Sequence, residues 1–98
     1  MSMAGRIKEE LSDAALYEQL AEECIELSHA CLKKARKLRG ENPTPLQEDE
    51  IDNNIVEEYT DVQLVSKLLD IDIDQGLYCK KFDRWYDRLI VDYRPKGY

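Results

Sequence analysis

Two short stretches carry paired acids in the same register: Glu22-Glu23-Cys24-Ile25-Glu26-Leu27 and Glu57-Glu58-Tyr59-Thr60-Asp61-Val62. Each helical residue advances about 100° around the axis. With Leu20 at zero, Leu16, Cys24, Leu27, Cys31, Ala35 and Leu38 fall within about 60° and form an apolar stripe. On the same wheel Glu23 stands near roughly 300°, Glu26 near 240° and Glu22 near 200°. With Ile55 at zero in the second stretch, Ile51, Tyr59, Val62 and Leu69 form the stripe, and Glu58, Asp61 and Glu57 take those same three angles. Each helix therefore carries two carboxylates, one turn apart, on the shoulder of its apolar face. An antiparallel pair of such helices brings the four acids together.

Four facing carboxylates cannot all stay ionised without a counter-charge: their pKa values rise or a cation binds. Oxygen-only clusters suit hard divalent ions, chiefly Mg²⁺ and also Mn²⁺. A carboxylate-held Mg²⁺ keeps positions open for water and substrate phosphates, the setting for hydrolysis of a phosphoanhydride. The competing reading is a solvated helix face, for which E-E-x-x-E is common. Glu58 speaks against it, because Ile55, Tyr59 and Val62 flank it on the side that should be buried.

The pattern Glu23-x-x-Glu26 followed by Glu58-x-x-Asp61 resembles the ExxE…ExxD signature of the all-α nucleoside triphosphate pyrophosphohydrolases, the MazG-like superfamily. The doubled acids Glu22-Glu23 and Glu57-Glu58, and the apolar residue after each motif, fit that resemblance. It covers residues 17–69 well and the following helix more loosely. The run Arg39-Gly40-Glu41-Asn42-Pro43-Thr44-Pro45 is similar to the inter-helix loop of small bacterial and phage members. Thirty-one residues separate Glu26 from Glu58, longer than is usual for the family, and the loop is expected to take up the extra length. The resemblance implies Mg²⁺ held by Glu23, Glu26, Glu58 and Asp61. It also implies cleavage between the α and β phosphates of a nucleoside triphosphate, and assembly as a homodimer or homotetramer. Glu22 or Glu57 is the candidate general base for the attacking water.

Punctuation along the chain is sparse, and the stretches between are rich in Glu, Leu, Ala, Lys and Arg, which reads as all-α. One helix is expected over Asp13–Arg39, with Ser12 or Asp13 as N-cap, basic last turns and Gly40 just beyond its end. Pro43 and Pro45 forbid continuation. Further helices are expected over 46–69 and 75–91, a short leading one over 6–11, and a loose tail from 92. Ninety-eight residues make one domain, 1–98, an antiparallel bundle of long helices. Its small core makes it marginal alone. Leu64, Leu68 and Ile71 line the other side of the second long helix, so a four-helix core completed by homo-oligomerisation is expected.

The net charge of −7 repels phosphate backbones and argues against a nucleic-acid polymer as partner. Apolar runs are too short for a membrane span, and no signal peptide is expected. Cys24, Cys31 and Cys79 lack CxxC spacing and read as reduced, buried thiols in a cytoplasmic protein. On the last helix Lys81, Arg84 and Arg88 form a row beside Tyr78, Phe82, Trp85 and Leu89, and can hold the β and γ phosphates; pairing with acids of the other helices is the alternative. Lys37 or Arg39 can lean over the site from the loop. Asn54, one turn before Glu58, can bond the nucleotide or a water. Tyr59 and Trp85 are expected in the core, and His29 at the surface or an interface. Glu26-x-x-His29, supplied twice by a homodimer, leaves a di-iron carboxylate bundle as one rival. A non-catalytic helical adaptor is the other.

Overall fold

A computed structural model describes residues 2–41 and 47–91. These form four α-helices and no strand: α1 Met3–Glu10, α2 Asp13–Arg39, α3 Glu48–Leu68 and α4 Gln75–Tyr86, the last running into a π-helical turn, Asp87–Val91. Local chemistry sets the boundaries. Ser2, Ser12 and Asp74 each accept the third-residue backbone N–H of the helix they cap, from Gly5, Ala15 and Leu77, satisfying donors no helical turn can reach. At the other end of α2, Gly40 stands at φ 71°. Its N–H bonds Lys37 O, and Glu41 N–H bonds Arg36 O, the paired closure of a Schellman cap. The end of α3 closes in the same way without glycine. Asp70, at φ 58°, donates to Lys67 O and Ile71 to Ser66 O.

No atom lies within 4 Å of where a Cβ on Gly40 would sit, so the left-handed backbone alone resists a side chain there. Gly40→Ala should cost about 1 kcal/mol, read as a lower urea midpoint at unchanged slope.

The helices α2 and α3 pack along each other, and no comparable packing joins α4 to either. The cross-links run antiparallel: Lys34 Nζ lies 2.7 Å from Glu48 and 2.7 Å from Asp52, while Glu26, two turns earlier on α2, meets Glu58, further along α3. Bonds to the two carboxylates hold the Lys34 ammonium above the usual lysine range. Helix α1 reaches the far end of α3 through Lys8 and Asp70, 3.4 Å apart.

The core is small: Leu16, Ala30, Ile51, Val65 and Leu68. Leu16 and Ala30 stand seven residues before and after Glu23; Ile51 and Val65 stand seven before and after Glu58. Seven residues are two turns, so both glutamates occupy central positions of the buried stripes. The packed faces are thus rotated from the expected ones towards the acids. Positions on the trailing edge are left in solvent as a result. Cys24, Cys31 and Leu38 are exposed, as are Tyr59 at 52% and Cys79, against the expectation of buried thiols and a buried tyrosine. Leu68 is buried within the single chain, at 9% exposure, and does not belong to an outer stripe with Leu64 and Ile71, which are exposed. Trp85, expected in the core, is 63% exposed, because α4 does not lie on the hairpin. The leading helix begins at Met3, earlier than expected, and α helix gives way to π at Asp87. Pro43, Pro45, the start of the second long helix at 46 and the tail from 92 lie outside the described residues. Among the described residues no helix is long and apolar enough to cross a membrane.

Candidate metal centre

Where α2 meets α3 at mid-length, Glu23, Glu26 and Glu58 each offer a carboxylate oxygen, all within 4.8 Å of one another. Gln19, one turn before Glu23, donates its Nε2 to Glu23 Oε1 at 2.7 Å and fixes that side chain. Glu23 Oε2 and Glu58 Oε2 are buried without a hydrogen-bond partner. A buried carboxylate oxygen with no donor is unfavourable. Here two such oxygens stand in one all-oxygen cluster, and that donor set suits a hard divalent cation.

The Glu58 carboxyl is raised above the usual carboxylate range. Burial is the largest cause, followed by a hydrogen bond with Glu26 and the charges of Glu26, Asp61 and Glu23. Asp61 therefore acts on Glu58 electrostatically, one turn away, without joining the close trio. A raised acid binds more protons folded than unfolded between its two pKa values, so stability falls as pH rises from its unfolded value of 4.5 through the raised folded one. Above that, the loss is complete. Removing the charge should reverse it: Glu58→Gln is expected to raise the melting temperature of the metal-free chain near neutral pH and flatten its decline above pH 4.5. A variant that melts lower, with an unchanged pH slope, would contradict this.

A cleft of about 280 Å³ opens beside the trio, lined by Glu26, His29, Ala30, Lys33, Ile51, Asn54 and Glu58. Asn54 stands where the sequence placed it. Two polar residues of this wall were not singled out for it: His29, read as surface or interface, and Lys33, ahead of the basic last turns of α2. Their spacing carried the signal, since 26, 29, 30 and 33 follow one helical face. Lys37 and Arg39 do not line the cleft. Glu22 and Glu57 are exposed and outside its wall, on the far shoulders of their helices. Lys81 and Arg84 sit on α4 and Arg88 on the π turn that follows it, and the single chain does not bring them to the acids.

No family model, curated protein or solved structure matches this chain.

Proposed function

We propose that the chain is a cytoplasmic, Mg²⁺-dependent nucleoside triphosphate pyrophosphohydrolase of the MazG-like type, acting as a homodimer or homotetramer. The observation that carries this reading is the convergence of Glu23, Glu26 and Glu58, with two orphaned carboxylate oxygens, beside a cleft whose wall also includes the Lys33 and Asn54 side chains. With Asp61, these acids would hold Mg²⁺ (or Mn²⁺), which supplies Lewis-acid polarisation of a phosphoryl oxygen and a water of lowered pKa.

The remaining chemistry belongs to the chain. Lys33 provides a positive charge two turns along α2 from Glu26, where a phosphate leaving the acids would meet it. Asn54 offers a donor and an acceptor from α3 to orient the nucleotide. Glu22 or Glu57, exposed on the shoulders of their helices, would be the group to take the proton from the attacking water. Lys81, Arg84 and Arg88, brought to the acids by a second copy, would offset charge on the pyrophosphate leaving group.

The deciding experiment incubates the chain with a panel of ribo- and deoxynucleoside triphosphates and Mg²⁺ in isotopically labelled water. Equal amounts of pyrophosphate and monophosphate, with the label in the monophosphate, are expected. Orthophosphate and nucleoside diphosphate would mean attack at the γ-phosphate and defeat the assignment. His29, beside Glu26 in the cleft wall, favours one second reading, the di-iron carboxylate bundle. Stoichiometric iron in the purified protein, with no triphosphate cleaved, would select it.

A further inference from the structure

The arm formed by α4 and the π turn carries Tyr78, Phe82, Trp85, Tyr86, Leu89 and Ile90 around an open groove of about 510 Å³, and every one of them is more than half exposed. The hairpin of α2 and α3 has apolar side chains of its own in solvent, among them Ile25, Val56 and Leu64. The chain as a whole is far from compact. Its radius of gyration is 18.4 Å, against about 13 Å for a folded domain of this length. Its accessible surface is 8412 Å², whereas a compact monomer of 11.5 kDa exposes roughly 5,800 Å². The excess, on the order of 2,600 Å², exceeds the ~800 Å² per partner of a stable interface.

Charge points to what fills the groove. The arm has Lys80, Lys81, Arg84 and Arg88 against Asp83 and Asp87, a net charge of +2. The helices α2 and α3 together carry −6. With Tyr78 at zero on the wheel, Lys81, Arg84 and Arg88 run at roughly 240–300°, along one flank of the aromatic stripe. Two caps bound the link to the arm, the left-handed Asp70 that ends α3 and the Asp74 side chain that starts α4, and the arm has no packing on its own hairpin comparable to that between α2 and α3.

We propose that the arm of each chain seats on the α2–α3 hairpin of a second copy, reciprocally, with Lys81, Arg84 and Arg88 beside that copy's acidic cleft. The exchange is two-fold symmetric, so each contact is made twice. The seating is independent of the hydrolase reading; only the service of the three cations to a bound phosphate rests on it.

Sedimentation equilibrium of the full chain at micromolar concentration tests the seating. The wild-type chain should be dimeric or a multiple of it. Phe82→Asp and Trp85→Asp should each weaken association at least a hundredfold while keeping the helical signal, because both side chains are exposed in the single chain. Carbodiimide cross-linking followed by separation by size locates the partner: bonds from Lys81 to carboxylates of α2 or α3 should occur in the dimer-sized band and be absent from the monomer-sized one. A monomeric wild-type chain, an oligomer indifferent to both substitutions, or Lys81 links in the monomer-sized band (the arm folded back on its own hairpin) would each overturn the proposal. Neither measurement uses a substrate, so a cross-linked dimer that releases no pyrophosphate would sink the hydrolase reading and leave the arm in place.

Discussion

Glu58→Gln should lower pyrophosphate release by a hundredfold to a thousandfold while leaving the helices formed. The amide keeps the shape of the side chain and removes the charge that offsets a divalent cation. Electrostatic stabilisation of this kind contributes several kcal/mol to a transition state, and each 1.36 kcal/mol is tenfold in rate, so a loss on the order of 10²–10³ follows. Asp61→Asn should act in the same direction, since Asp61 lies close enough to raise the Glu58 carboxyl. Glu22→Gln and Glu57→Gln should cost less, except at whichever position serves as the base. The diagnostic is a crossing of signs: the same Glu58→Gln change that stops turnover should stabilise the metal-free chain. Full turnover in this variant, or turnover that survives a chelator, removes the metal-centre reading.

Ile51→Ala should be the most damaging single truncation for stability. Ile51 is 1% exposed, beside a core of four other buried residues, of which only Leu16, at 2%, is as deeply enclosed. Truncating a buried isoleucine costs about 2–5 kcal/mol, a large fraction of the 5–15 kcal/mol typical of a whole domain. Because Ile51 also lines the cleft, the lost volume opens the wall next to Glu58. A drop in urea midpoint should therefore be accompanied by weaker substrate binding, whereas Ile51→Val, at about 0.5–1.5 kcal/mol, should retain most of both. Equal stability of wild type and Ile51→Ala would mean that the hairpin is not held where the structure holds it.

Much of this was legible in the residues. Ser12, the basic last turns and Gly40 defined α2 to the residue, because caps are local chemistry. The convergence of Glu23, Glu26 and Glu58 followed from register alone, once a short connection made α2 and α3 antiparallel neighbours. The rotation of the packed faces was not legible. A wheel centred on the greasiest residues put Cys24, Cys31 and Tyr59 inside and the acids at the edge. The two helices instead meet along the line through Glu23 and Glu58, the side on which Ala30 is small enough for close approach. The position of α4 was illegible for a different reason: its apolar stripe says that it must be covered, and carries no information on which chain covers it.

Leu16, Glu23 and Ala30 on one helix, and Ile51, Glu58 and Val65 on the other, divide the seam into two apolar blocks separated by an acidic waist. Cooperative unfolding requires each packed block to stabilise the next, and the waist interrupts that transmission. The hairpin should therefore open as two units while its carboxylates face one another uncompensated, and as one if a cation ties them. Hydrogen exchange would register the difference as separate protection plateaus for the two blocks that merge into one. Binding to the folded form at a hundredfold excess over Kd adds about 2.7 kcal/mol, enough for the occupant of the waist to set whether this short chain behaves as a single cooperative body.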